Sequence, residues 1–224
     1  MEYILKRSKR KTAAIYVRNG FVEVRAPIKM PKKAIDTFVA SKEQWIKDRL
    51  AKTQEQSAKR DAFGLFYGDP ILYRGKKYPL APRTGSHAGF DENAFFMPPD
   101  LPPEYIKSTC IQIYRMLAKR YLTEKTLQFA RLMGLAPSNI KITGAKTRWG
   151  SCSAKKNINY AWRLIMAEDD VIDYVVVHEL AHLKELNHSP RFWSIVERVL
   201  PDYRDRKLKL RTLQKQLATE NWDE

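Results

Sequence analysis

Three of the four histidines in the 224-residue chain lie within one segment, His178 to His188, which reads HELAHLKELNH. On a helix, His178 and His182 project from the same face one turn apart, a spacing that suits two bonds to one zinc ion. Glu179 lies between them in projection, so its carboxylate is placed beside a metal-bound water instead of on the metal. The pattern HExxH therefore predicts a metal-dependent hydrolase with Glu179 as general base.

The third ligand must come from outside this helical turn, because a catalytic zinc ion normally has three protein ligands and one open position for water. His188 is the first candidate, and it would complete a site for one zinc ion per chain. On a continuous helix His188 would be rotated about 120° away from the other two histidines, so the helix must end before it. Glu185 and Glu197 are alternative third ligands.

The residues around the motif indicate the helices that would position it. Three acidic residues, 168–170, favour the start of a helix, because the positive end of the helix dipole stabilises negative charge. Asn187 can end that helix in the left-handed conformation, and Ser189 and Pro190 suit the N-cap and first position of the next helix. The motif helix should be buried, since apolar side chains surround it at Val171, Ile172, Val175, Val176, Leu180 and Leu183.

A long helix and three short strands are predicted before the motif. Apolar residues recur at intervals of three and four from Ile106 to Tyr121, with prolines before them and a plausible C-terminal cap at Gly134. Segments 139–142, 146–153 and 157–166 are typical of strands. We therefore expect an α+β fold in which an antiparallel sheet packs on the HExxH helix.

The N-terminal segment predicts a hairpin covered by a helix. Apolar and polar residues alternate on either side of Asn19-Gly20, which favours a hairpin with a type I′ turn. Apolar residues from Lys32 to about Gln56 have helical spacing, so one helix should cover the apolar face of the hairpin. The residues that should share that face are Ile15, Val17, Val22 and Val24.

A second hairpin is predicted from Ile71 to Leu80, with its turn at Gly75, and it would complete a small basic β-rich module. Residues 81–103 are rich in proline and glycine and show no periodicity, which is typical of a boundary. We accordingly expect an N-terminal module at residues 1–95 and a hydrolase domain at residues 96–224.

The chain carries a formal net charge of +16, and the surplus is concentrated near the N-terminus. Residues 1–60 contain 16 Lys+Arg and 6 Asp+Glu, which contributes +10. Such a surface attracts anions such as nucleic acid, nucleotides or acidic proteins, although it can equally be a solvated, soluble surface. Nucleic-acid association through the N-terminal module is therefore one hypothesis for a partner.

Cysteine content and hydropathy favour a cytoplasmic location. The chain has only Cys110 and Cys152, too few for a disulfide framework, and both fit small buried positions. The N-terminus does not resemble a signal peptide, and no apolar run is long enough for a membrane span, so no membrane association is expected. His87, in a glycine-rich loop, is expected to be a surface residue.

Two C-terminal motifs, Thr147 to Ser153 and His178 to Trp193, resemble those of the YgjP-like metal-dependent hydrolases, small zincins related to the SprT and WLM families. The likeness extends to Lys6–Ser8, Val24–Pro27 and the pair Trp45-Ile46, and thus over nearly the whole chain. It implies a zincin-like domain with zinc on His178, His182 and His188, and with Glu179 catalytic. Metzincins have the same ligand spacing but a glycine where this chain has Glu185. SprT-like proteins that act on DNA-bound substrates often add a zinc ribbon, which two cysteines cannot build.

The strand before the active helix commonly lines the substrate cleft in zincins, where a peptide could pair with its edge. Arg148 would then stabilise negative charge that develops opposite the zinc, unless its guanidinium only stacks on an aromatic ring or caps a helix. The leading hypothesis is a zinc metallopeptidase acting on peptides. The alternatives are a zinc hydrolase of an anionic small molecule such as a nucleoside phosphate, and a nucleic-acid-associated protein with a vestigial metal site.

Overall fold

A computed structural model describes residues 1–18 and 20–223. The chain forms two compact units: Met1–Phe63 with Leu217–Asn221, and Gly64–Gln216 with the described residues 222–223. Residues 64–95, which we expected in the N-terminal module, belong to the second unit. The compact units thus do not coincide with the predicted domains 1–95 and 96–224.

The first unit contains a three-stranded sheet of β1 (Ile4–Ser8), β2 (Ala14–Arg18) and β3 (Phe21–Pro27), in the order β1-β3-β2. Strand β1 is parallel to β3, and β2 is antiparallel to it. The register pairs Ile15 with Val24 and Val17 with Val22, which confirms the predicted hairpin. The predicted type I′ turn depends on Asn19 and lies outside the described residues.

Two helices, α1 (Lys32–Ala40) and α2 (Glu43–Asp61), follow the sheet, so the prediction of one continuous helix is wrong. The chain leaves helical geometry at Lys42, where φ is −115°, and the Ser41 hydroxyl donates to the Phe38 carbonyl oxygen at 2.7 Å. A serine that bonds a backbone carbonyl in this way competes with the helical pattern. The helices bury a core with β3, as expected, formed by Val22, Val24, Ala26, Ile35, Val39 and Ile46.

The second unit begins with a four-stranded sheet of β4 (Pro70–Tyr73), β5 (Lys76–Pro82), β6 (Gly89–Phe90) and β7 (Phe95–Met97), in the order β4-β5-β7-β6. The predicted hairpin with its turn at Gly75 is confirmed: β4 and β5 are joined through Arg74 and Gly75, and both residues have positive φ. The expected boundary at 81–103 instead contains β6 and β7. Strands of two and three residues are too short to produce a detectable alternation.

The long helix α3 (Pro103–Met133) ends at Gly134, whose φ of 62° is left-handed, as predicted. A second sheet consists of β8 (Asn139–Thr143), β9 (Gly150–Cys152) and β10 (Asn157–Ala161), in the order β8-β10-β9. Only the β9–β10 pair is antiparallel, because β10 lies between the other two strands and runs parallel to β8. Residues Trp162–Met166, predicted as strand, form a 3-10 helix.

Three helices complete the fold: α4 (Asp169–Ala181), α5 (Pro190–Val199) and α6 (Tyr203–Leu217). Helix α4 carries HExxH and packs against α3, α5 and strand β9. It is buried on nearly all sides, which explains why a run of valines is tolerated in it. The fold class is α+β, as predicted. None of the described helices has the length and apolar character needed to span a membrane.

Candidate metal centre

His178 and His182 lie at the C-terminal end of α4. His178 is in its last turn, and His182 is the first residue after it, still with helical dihedral angles. Their ring centres are 4.9 Å apart. The chain then leaves the helix through a turn in which the N–H groups of Leu183 and Lys184 bond to the carbonyls of Leu180 and Ala181.

His188 returns to the other two histidines because α4 ends early. The prediction that Asn187 ends the helix in a left-handed conformation is wrong, since the described non-glycine residues with positive φ are Arg74, Glu92 and Lys156. The last residue of α4 is Ala181, six residues before Asn187. The predicted start of the next helix is confirmed: the Ser189 hydroxyl accepts the Phe192 N–H at 3.3 Å, and Pro190 is the first helical residue.

The three histidines have the geometry of a metal site. One ring nitrogen of each lies within 4.8 Å of those of the other two, and the Nε2 atoms of His178 and His188 are 3.0 Å apart. Two nitrogens bonded to one tetrahedral zinc at about 2.0–2.1 Å lie about 3.3–3.4 Å apart. His182 Nδ1 is 3.0 Å from the Glu185 carbonyl oxygen, so Nδ1–H donates there and Nε2 is left as the ligand atom.

The two alternative ligands do not join this cluster. The Glu185 carboxylate lies 3.9 Å from the Arg191 guanidinium, and the Glu197 carboxylate lies 3.3 Å from Arg204. Among the described residues, the group of potential metal ligands contains only the three histidines. His87 is exposed, as expected, and does not belong to this group of ligands.

Aromatic side chains enclose the histidines. The buried Phe192 ring lies 4.5–4.9 Å from all three imidazole rings, and Trp193 stacks on His188 with ring centres 5.7 Å apart. Burial, together with the positive charge of the neighbouring histidines, lowers the pKa of His178 to about 3. The imidazole is therefore neutral at physiological pH, which is the form that binds a metal.

Glu179 is buried next to the cluster, with 5% of its surface exposed. Its Oε2 atom has no hydrogen-bond partner among the described residues. Burial raises the pKa of this carboxyl group to about 8, and the positive charge of Arg148 partly offsets the shift. A buried carboxyl group whose pKa lies near neutrality is suited to accept and donate a proton.

Gly150, in strand β9, packs directly against Glu179. A Cβ atom at this position would lie 2.5 Å from Oε1 and 2.7 Å from Cγ of Glu179. The glycine therefore lets the carboxylate lie against the strand. This role was not predicted from the sequence, in which the only signal is a glycine inside the strand-like motif of residues 147–153.

Arg148 lies just before β9 and is exposed. In the part of the chain that the structure describes, it makes no hydrogen bond, ion pair or cation–π contact, so the predicted structural alternatives for it are not observed. Its positive charge lowers the pKa of the Glu179 carboxyl group and so opposes the effect of burial. Cys110 is buried, as expected, whereas Cys152 in β9 is only half-buried. Burial raises the pKa of both thiols.

Comparison with known proteins identifies the family of this α+β chain. The sequence model of the YgjP-like family, described as a metallopeptidase domain, matches residues 11–213. The match covers most of the chain, so the chain belongs to the YgjP-like metallopeptidase family, as its motifs predicted, and is a metal-dependent hydrolase of the peptidase class. No curated protein matches it.

The solved structures that are similar to part of the chain include two metallopeptidase zymogens. The crystal structure of the metallopeptidase zymogen abylysin from Pyrococcus abyssi is 26% identical, with 45% of this chain and 97% of that chain covered and a TM-score of 0.39. The metallopeptidase zymogen jannalysin from Methanocaldococcus jannaschii is 21% identical, with 42% and 96% covered and a TM-score of 0.37.

Proposed function

We propose that this chain is a zinc-dependent peptidase in which His178, His182 and His188 hold one zinc ion and Glu179 is the general base. The observation that carries the proposal is the convergence of three histidine nitrogens within 4.8 Å, beside a buried carboxylate with an unpaired oxygen. Neutral imidazole nitrogens in a set of three are donors that zinc prefers in catalytic sites.

The residues present fit such an ion. Nε2 atoms of His178 and His188 already face each other, and the Glu185 carbonyl holds His182 in the matching tautomer. A bound zinc ion supplies a Lewis acid that polarises a carbonyl group and lowers the pKa of water to about 7. The protein supplies the rest, namely the position of the substrate and the transfer of the proton.

Glu179 is proposed to carry that proton. Its carboxylate accepts a proton from the attacking water and then donates it to the amine that leaves when the peptide bond breaks. Both steps need the carboxylate in one fixed position. Burial and contact with Gly150 restrict Glu179 in this way.

Strand β9 is proposed to bind the peptide. Among the described residues it pairs with β10 on one side only, so its other edge has no partner strand and could pair with an extended chain. It also packs on the helix that carries Glu179. A peptide bound by β-strand addition uses its main-chain groups, and these are present whatever its sequence. Arg148, just before β9, is proposed to stabilise negative charge on the carbonyl oxygen under attack.

The test is an activity screen of peptides, nucleoside triphosphates and phosphodiesters under one condition, with Glu179→Gln as control. Elemental analysis of protein purified without added metal should find about one zinc per chain. Peptide cleavage that disappears in Glu179→Gln supports the proposal. Cleavage of nucleoside triphosphates alone would replace it with the alternative of a small-anion hydrolase. Nucleic-acid association and a cytoplasmic location stay predictions from the sequence.

A further inference from the structure

Lys207 of helix α6 places a positive charge at the edge of the metal centre. The side chain is half-buried, and its Nζ atom lies 4.6 Å above the centre of the Trp193 ring. The same ring stacks on His188, with ring centres 5.7 Å apart. The Lys207 ammonium group therefore lies no more than about 10 Å from the His188 ring.

Among the described residues, the Lys207 ammonium group has no acidic partner. Three other basic residues of α6 do form ion pairs: Arg204 with Glu197, Arg206 with Asp202, and Lys209 with Glu168 and Asp170. In the described part of the chain, the Lys207 ammonium forms no hydrogen bond or ion pair, and it lies over the Trp193 ring. An ammonium group that packs on an aromatic ring and does not donate its hydrogen bonds elsewhere can bind an anion.

A second positive charge lies on the same face of α6. Arg211 follows Lys207 by four residues. Burial raises the pKa of Tyr174, and the charge of Arg211 partly offsets that rise. The Tyr174 ring lies 5.9 Å from that of His178. Like charges four residues apart destabilise a helix slightly unless an anion neutralises them. The acidic side chains close to the histidines do not supply this anion, because Glu179 is buried beside β9 and the Glu185 carboxylate faces Arg191.

We propose that Lys207 binds a carboxylate group of the substrate and so makes this enzyme selective for acidic peptides. The inference rests on the peptidase function proposed above. An extended peptide advances about 3.3–3.6 Å per residue, so the distance to the His188 ring corresponds to at most about three residues. The carboxylate should therefore lie within three residues of the bond that is cleaved.

A carboxylate at this distance can come from an Asp or Glu side chain or from the C-terminus of the peptide. Both present the same anion to a compact ammonium charge. The half-buried position of Lys207 weakens solvent screening and strengthens the ion pair relative to one at an open surface. The contribution of Arg211 should be smaller, because its side chain is exposed.

The experiment compares matched peptides that differ only in this charge. One pair has a free or an amidated C-terminus; the other has Asp or Asn within three residues of the cleaved bond, with the C-terminus amidated. The wild-type enzyme should favour the acidic member of at least one pair by about fivefold to tenfold in kcat/KM. The pair that responds identifies the source of the carboxylate.

Lys207→Met should remove the preference, Lys207→Glu should reverse it, and Lys207→Arg should retain most of it. Zinc content should stay at about one per chain in all three. Lys215→Met is the matched control, since Lys215 is an exposed lysine two turns further along α6 and should not affect the preference. The binding affinities of the same peptides for the inactive Glu179→Gln variant should follow the same order, which separates recognition from turnover.

A preference that persists in Lys207→Met, or that disappears equally in Lys215→Met, overturns the assignment. So does a wild-type enzyme that cleaves both members of each pair equally well. These results would leave the peptidase function intact. Failure to detect any peptide cleavage that depends on Glu179 would instead refute the proposed function and this inference with it.

Discussion

Replacing Gly150 by alanine should test whether turnover depends on the exact position of the Glu179 carboxylate. The added Cβ would lie 2.5 Å from Oε1, 2.7 Å from Cγ and 2.8 Å from Cδ of Glu179. An ordinary contact between such atoms is about 3.5 Å, so the carboxylate or the strand must move by about 1 Å. Because Glu179 is buried, it has little free space to accept that shift.

A displacement of about 1 Å at a catalytic group can reduce a rate by about 100-fold, which corresponds to about 2.7 kcal/mol of activation free energy. We expect kcat of Gly150→Ala to fall by about that factor. KM should change little, and zinc content should stay near one per chain, because none of the three histidines is touched. The measurement is steady-state peptide cleavage with elemental analysis of the same sample.

Gly144→Ala is the matched control. Its Cβ would meet the end of the Arg115 side chain at 3.1 Å, and a long flexible side chain can move away at low cost. We expect kcat to stay within about twofold of wild type. A second comparison adds Glu179→Asp, whose shorter side chain withdraws from position 150, so the two substitutions together should cost less than the sum of their separate effects.

Three results would refute this reasoning. If Gly150→Ala keeps full kcat, the close contact does not fix the base. If it loses zinc in proportion to activity, the substitution acts through the histidines and not through the position of Glu179. An additive double mutant would also count against contact between the two positions as the cause.

Three other perturbations follow from the site. Glu179→Gln should retain about one zinc per chain but lose turnover, as measured by elemental analysis and peptide cleavage, and an active variant would show that Glu179 is not the base. His188→Ala should weaken zinc affinity, measured by competition with a chelator, far more than Glu185→Ala, and the reverse order would overturn the ligand assignment. Phe192→Ala should lower the free energy of unfolding by about 3–5 kcal/mol in chemical denaturation, because the ring is fully buried among the three histidines, and a loss below about 1 kcal/mol would contradict that packing.

The sequence predicted those parts of the site that depend on spacing along the chain. A helix brings His178 and His182 to one face, and Ser189 and Pro190 carry a start signal for the next helix that is independent of the fold. The early end of α4 at Ala181 was not predictable in the same way. No glycine or asparagine ends it, and the turn is held by backbone hydrogen bonds of residues with ordinary propensities.

The roles of Gly150 and Lys207 could not be predicted, because each depends on a contact between segments far apart in the sequence. Gly150 meets Glu179 only once β9 packs on α4, and Lys207 meets Trp193 only once α6 packs beside α5. The break between α1 and α2 and the short strands β6 and β7 were missed for a local reason. One serine or two residues of strand give a signal too weak to separate from a continuous helix or a loop.

The length of strand β9 limits which substrates could be cleaved. It has three residues, Gly150–Cys152, and therefore spans about 10 Å. A peptide added to its edge would gain only a few main-chain hydrogen bonds, too few to offset the conformational entropy lost in pulling a segment out of a folded protein. On the proposed binding mode, cleavage would thus be restricted to chains that are already locally unfolded, such as termini, damaged proteins or short peptides. The local stability of a substrate would then decide whether it can bind at all, and its sequence would matter only among the segments that are unfolded.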